Sequence, residues 1–192
     1  MSRRRIEAVV VGASAGALEA LSVVLPALPA DFPIPLLVVV HLPPDRKSLL
    51  TSLLRGRCRI DVQEAEDKTT PEPGAAYIAP PDYHLMVEPD GRLSLSSEEP
   101  VLFSRPSIDV LFETAAETFG PALVGVVLSG ANSDGTRGLR AILDAGGLGV
   151  VQRPETAQAS AMPTSAIAAC PEASALGLEE IAGFLRDMMV AR

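Results

Sequence analysis

Ala8-Val9-Val10-Val11-Gly12-Ala13-Ser14-Ala15-Gly16, residues 8–16, is the stretch that decides how this chain folds. Ala8 to Val11 is a short apolar run of the kind buried on both faces of a parallel sheet. It ends in residues no larger than serine. Beyond Ser14, apolar side chains at Ala17, Leu21, Val24 and Leu25 follow the 3.6-residue period until Pro26 stops them. A strand therefore turns sharply into a helix, with a serine at the corner.

The same grammar recurs along the chain. Pro35 to Val40 is a second apolar run, ending at His41; Leu123 to Leu128 is a third and Leu148 to Gln152 a fourth. Between them lie helix-period segments. Ile108, Leu111, Phe112, Ala115 and Phe119 are opened by Ser107 as N-cap and closed by Gly120. Leu139, Ile142 and Leu143 end at Gly146-Gly147, and Leu178, Ile181, Leu185, Met188 and Met189 form a terminal amphipathic helix suited to cover a sheet face. Alternating strands and helices predict a three-layer, doubly wound α/β fold with a mainly parallel, Rossmann-like sheet. Residues 69–100 break the pattern. Ala76 to Ala79 and His84 to Val87 read as short strands, and Glu88-Pro89-Asp90-Gly91 as a turn into Leu93 to Leu95, which predicts an inserted β-hairpin. Without repeats or long linkers, residues 1–192 are expected to form one domain.

Composition narrows the function classes. The chain has 192 residues, 47% of them hydrophobic, with mean hydropathy +0.27 and a net charge of −8. No run reaches the ~18 apolar residues of a membrane span, and no signal-type stretch follows Met1. A soluble, cytoplasmic protein without membrane insertion is expected. Cys58 and Cys170 lie far apart, so neither a disulfide framework nor a zinc cage is expected; both read as buried apolar fillers, and no metal or cofactor is called for. Residues 61–120 hold thirteen acids and three bases, and the chain has no Trp, which argues against a nucleic-acid partner. Arg46, Lys47, Arg55, Arg57 and Arg59 form a basic exception. They read either as a solvated helix end or as a steering patch near His41.

Three polar residues follow three of the predicted strands. Gly12-Ala13-Ser14-Ala15-Gly16 fits Gly-x-Ser-x-Gly at a strand-to-helix corner, the setting that gives this pattern chemical meaning. Small residues permit the sharp turn, and the helix N-terminus offers N–H groups to an oxyanion. The same turn could instead bind a phosphate, although Gly-x-Gly-x-x-Gly and a Walker lysine are both missing. His41 stands where an open α/β sheet places ligands, beyond a strand's carboxyl end. Asp134, in Leu-Ser-Gly-Ala-Asn-Ser-Asp-Gly, is by itself a turn former or helix cap. His84, the other histidine, reads as a surface or hairpin-packing imidazole. If the strands are parallel, Ser14, His41 and Asp134 converge as nucleophile, base and orienting carboxylate for acyl transfer. Replacing Asp134 by Asn is then expected to cost rate and little stability. The order Ser, His, Asp differs from the Ser, Asp/Glu, His order of α/β-hydrolases.

Val-Gly-Ala-Ser-Ala-Gly, Val-Val-His-Leu-Pro-Pro, Ala-Tyr-Ile-Ala-Pro-Pro-Asp-Tyr-His-Leu, Arg-Pro-Ser-Ile-Asp-Val-Leu-Phe, Val-Val-Leu-Ser-Gly-Ala-Asn-Ser-Asp-Gly and Ala-Met-Pro-Thr-Ser-Ala-Ile occur in that order. On these segments the chain resembles, over nearly its whole length, the catalytic domain of the chemotaxis receptor protein-glutamate methylesterases (CheB-type). The resemblance implies Ser14 as nucleophile, His41 as general base and Asp134 as orienting carboxylate. The implied reaction is hydrolysis of glutamate γ-methyl esters on the cytoplasmic helical region of chemotaxis-type receptors, with deamidation of certain glutamines by the same acyl-enzyme logic. It implies oxyanion donors at the backbone N–H groups of Ala15 and Ala131, and substrate contacts at Met162 and Arg105; the Arg55, Arg57 and Arg59 group is expected at the substrate on its own charge and its closeness to His41 along the chain. The chain departs from the family at Ala17, where a second Gly is usual, at Ala131, where many members carry Met, and at Ser104, where His commonly precedes Arg-Pro. Typical members carry an N-terminal receiver domain, which is not expected within these residues. A degenerate partner-binding domain of the same fold is the alternative to an active enzyme.

Overall fold

A computed structural model describes residues 5–41 and 49–190. The chain opens with strand β1 (Ala8–Ala13), helix α1 (Ala17–Val24) and strand β2 (Leu36–Val40), followed by a short helix α2 (Leu50–Arg55). Strands β3 (Asp61–Glu64) and β4 (Ala75–Ile78) come next, then a hairpin of β5 (His84–Val87) and β6 (Leu93–Ser96). Helix α3 (Ile108–Phe119), strand β7 (Leu123–Val127), helix α4 (Thr136–Asp144) and strand β8 (Leu148–Gln152) restore the alternation. Helix α5 (Ala161–Ala169), strand β9 (Ser174–Leu176) and helix α6 (Leu178–Val190) complete the described chain.

The main sheet runs β3-β4-β2-β1-β7-β8-β9, and every pairing in it is parallel. Successive residues of β1 feed opposite cores. Val9, Val11 and Ala13 pack with Leu21, Leu25, Ile181 and Leu185 on the α1/α6 face. Ala8 and Val10 pack with Leu111, Phe112, Leu139 and Ile142 on the α3/α4 face. A strand walled by apolar layers on both sides must be apolar throughout, which is why these runs stood out in the sequence.

Two expectations change. Ala76 to Ala79 is not an arm of the hairpin: Ala76 pairs with Leu36 on one side and Val62 on the other, so β4 belongs to the main sheet. The hairpin is β5 and β6 alone, packed on α3, where Thr114 Oγ1 accepts from Val87 N at 3.1 Å. Cys58 is half-buried, unlike the wholly buried Cys170. No helix among the described residues is long and apolar enough to cross a membrane.

From β1 the chain moves outward to β2 on one side, and after β4 it returns to place β7 on the other. The carboxyl ends of β2, β1 and β7 thus surround a topological switch point, where open α/β sheets build their sites.

Candidate active site

Each of the three polar residues leaves a strand at this edge. Ala13 pairs with Val40, and the N–H of His41 continues the ladder to the Ala13 carbonyl at 3.1 Å, setting His41 beside the Ser14 corner. Ser14 N donates to the Ser129 carbonyl at 2.9 Å, which ties the corner to the end of β7. The two glycines of the motif have separate reasons. A side chain at Gly12 would collide with Ile108, the first residue of α3, at 2.3 Å. Gly16 takes φ +83, a left-handed conformation that glycine adopts without strain, to cap α1.

His41 Nε2 and Asp134 Oδ2 are 2.7 Å apart, with the aspartate side chain closed to solvent and the imidazole 11% exposed. Asp134 Oδ2 also accepts from Ile108 N at 2.7 Å, while Oδ1 accepts from Asp109 N at 2.9 Å and Ser107 Oγ at 3.0 Å. Burial pushes the Asp134 carboxyl up. The hydrogen bonds from His41, Asp109 and Ile108, with the charge of His41, outweigh it and hold the group below the ordinary carboxylate range. An ionised carboxylate only accepts, so the bridging proton sits on His41 Nε2, which leaves Nδ1 as the ring nitrogen not bound to Asp134.

Asp134 is therefore a helix cap as well, though for a different helix from its own. Ser107, expected to cap α3 with its side chain, makes no such bond; its hydroxyl goes to Asp134, and the Asp134 carboxylate serves the α3 N-terminus. Asp109, in the first turn of α3, returns the contact: its Oδ1 accepts from Gly135 N at 3.0 Å and Gly138 N at 2.7 Å at the start of α4. Asp134 thus makes four hydrogen bonds from full burial, which argues against the expectation that the Asn variant would cost little stability.

His84 is buried in the hairpin, not at the surface. Its Nδ1 accepts from Ser107 N at 3.1 Å and its Nε2–H donates to the Glu99 carbonyl at 3.0 Å, so both nitrogens are engaged. Ala15 and Ala131 are exposed at the edge, and among the described residues no hydrogen bond uses either N–H. Ser129 and Gln152, which the sequence reading missed, buttress this edge. Ser129 Oγ donates to the Ala15 carbonyl at 2.6 Å and accepts from Ala159 N at 2.8 Å, and Gln152 Oε1 accepts from Ser129 N at 3.1 Å. Their signal was a polar residue closing an apolar run.

The residues expected at the substrate separate. Arg105 lines a pocket of about 120 Å³ beside His41, with Asp82, Pro100, Phe103, Ser104 and Pro106. Its guanidinium is bound to Asp82 and to the Ser97 and Glu98 carbonyls. Met162 is wholly buried, its side chain filling the space over Gly130, so it supports the Asp134 loop from beneath and is closed to a substrate. Arg55, Arg57 and Arg59 do not flank the site. Val62, whose carbonyl Arg55 binds at 2.8 Å, is level in the sheet with Leu36, five strand residues and roughly 16 Å before His41, and Arg57 reaches Ser22 near the end of α1. Arg46 and Lys47 lie outside the described residues.

A family model for CheB methylesterase matches residues 9–185. The chain belongs to the CheB methylesterase family. The crystal structure of the Thermotoga maritima CheB methylesterase catalytic domain superposes with a TM-score of 0.90 at 32% identity, covering 95% of this chain and 98% of that one. A Leptospira interrogans relative is 48% identical over 176 residues, 92% of this chain and 91% of its own length. An Archaeoglobus fulgidus relative named protein-glutamate methylesterase/protein-glutamine glutaminase is 35% identical over 162 residues, and the chain spans about half of its length (46%). The CheB fold thus accounts for both the sheet and the hairpin seen here.

Proposed function

We propose that this CheB-family chain is a serine hydrolase that removes methyl groups from glutamate γ-methyl esters of chemotaxis-type receptors. The observation that carries the reading is the 2.7 Å contact between His41 Nε2 and a buried, ionised Asp134, at the end of the strand next to the Ser14 corner. In this reading Ser14 Oγ attacks the ester carbonyl while its proton passes to His41 Nδ1. Asp134 holds the ring in that tautomer and stabilises the imidazolium. The N–H groups of Ala15 and Ala131 receive the oxyanion. The C–O bond to the methoxy group breaks, His41 returns the proton to the leaving oxygen, and methanol departs. Water then adds to the Ser14 acyl-enzyme with the same base, giving free glutamate and a restored serine.

The same cycle run on a glutamine side chain releases ammonia in the first half, and the name of the Archaeoglobus fulgidus relative pairs both activities. The substrate region is the cytoplasmic helical part of the receptor, met by a cytoplasmic enzyme. An activated ester tests the acyl-enzyme directly. A stoichiometric burst with the acyl group on Ser14 by peptide mass mapping is expected, and an absent burst, or label on any other residue, contradicts the assignment.

A further inference from the structure

Next to His41 the chain holds two large apolar side chains in open solvent by means of an uncomfortable turn. Val101 and Ser104 exchange both backbone hydrogen bonds, Val101 N to Ser104 O at 3.0 Å and Ser104 N to Val101 O at 2.9 Å, leaving Leu102 and Phe103 as the central pair of a two-residue turn. Their φ angles are +48 and +64. Both lie in the left-handed region that a type I′ turn requires and that Asn-Gly fills readily, whereas a bulky side chain there is strained. Phe103 is fully exposed and Leu102 is 50% exposed. Asp82, which faces the same pocket, is also left-handed at φ +66. Arg105 fastens these elements, with Nε and Nη2 on Asp82 Oδ1 and Nη1 on the Ser97 and Glu98 carbonyls at 3.0 Å.

Phe103, Ser104 and Arg105 line the same pocket as His41, so the turn is continuous with the reacting centre. Charge does not equip this rim to grip an acidic protein: Arg105 is paired with Asp82, and Glu98 and Glu99 are exposed beside it. Apolar surface is what it offers. We propose that Leu102 and Phe103 are the docking tip for the substrate protein itself, seating an apolar side chain one helical turn from the methylated glutamate, on the same face of its helix. Positions three and four apart on a helix are neighbours, so an ester held at the pocket brings such a side chain to the tip. The strain is retained because it aims the pair outward. This rests on the hydrolase reading above and assigns that site's means of holding a protein substrate.

The test is the double variant Leu102→Asn/Phe103→Gly, which installs the pair a type I′ turn favours and so folds at least as stably as the wild type by thermal unfolding. kcat/KM is measured on a methylated receptor cytoplasmic fragment and on p-nitrophenyl acetate. The ratio of the two is expected to fall at least about tenfold, through KM on the receptor fragment. The loss persists from about 0.1 M to about 0.5 M salt, where charge steering fades. Phe103→Leu, which keeps an apolar tip, retains most of the ratio. An unchanged ratio, or equal falls on both substrates, overturns the docking role and leaves the hydrolase reading standing. If the tip instead seats a second copy of this chain, sedimentation shows a dimer that the double variant abolishes, which also overturns it. A wild type that forms the Ser14 acyl-enzyme yet releases no methanol from the receptor fragment overturns the receptor reading and the docking role together.

Discussion

Asp109 and Asp134 occupy the same buried seam between α3 and α4, and each caps the helix that begins beside the other. They nevertheless ionise in opposite senses. Asp134 faces the His41 imidazole and is held below the ordinary carboxylate range against its burial. Asp109 has no such partner. Burial first, and then the neighbouring Asp134 charge, push it up to about 6 despite the hydrogen bond from Gly138. Two carboxylates in one seam are shifted in opposite directions because only one of them faces an imidazole.

That contrast is easiest to break at the larger end. Asp134→Asn is expected to lower turnover by about 10⁴-fold, because an amide donates where His41 Nε2–H needs an acceptor, and to cost roughly 1–3 kcal/mol of stability from its lost caps. Asp109→Asn keeps an Oδ1 acceptor for Gly135 and Gly138 and should change turnover only a few-fold. Steady-state kinetics with urea unfolding checks both; equal rate losses would erase the distinction.

The pair can be sharpened by pH. A group whose folded pKa lies above its unfolded value contributes stability at low pH that is lost as pH rises, so Asp109 should cost the wild type stability between about pH 4 and about pH 6. Asp134 has the opposite sign, contributing stability above its unfolded pKa that is lost as pH falls through the ordinary carboxylate range. Urea midpoints of Asp109→Asn relative to wild type should therefore rise from pH 4 to pH 7, and a flat difference would contradict the raised carboxyl. A carboxyl NMR titration of Asp134→Asn should find the Asp109 pKa lowered from about 6, since the charge that raised it has gone.

How much of this was legible in the sequence follows from the same physics. β1, β2, β7 and β8 announced themselves because both faces are buried, and the candidate site residues followed because Ser14 and His41 come directly after β1 and β2 and Asp134 lies in the loop after β7. β3 stayed hidden because it is an edge strand in which only Val62 is buried, and β4, once its neighbour was missed, read as part of the hairpin. Asp109, Ser107 and Ser129 act across contacts that no local pattern encodes. The basic group misled for the same reason. Arg55 to Arg59 are close to His41 along the chain, but Arg55 is bound at Val62, level with Leu36 at the start of β2, and Arg57 at Ser22. Replacing all three by Gln is accordingly the smallest expected effect. At 0.1 M salt the Debye length of about 10 Å is shorter than their separation from the site, so kcat/KM on receptor should stay within about twofold. A large, salt-sensitive loss would restore them as a steering patch.

The account turns on Ser14 at the β1–α1 corner acting through His41 on a methyl ester carried by a protein. Methanol release from a methylated receptor fragment, compared between wild type and Ser14→Ala at matched folding by circular dichroism, measures that most directly. The account predicts turnover by the wild type and a loss of roughly 10³-fold or more in the variant. A Ser14→Ala protein that keeps even a tenth of the rate, or a folded wild type that releases no methanol, would contradict it.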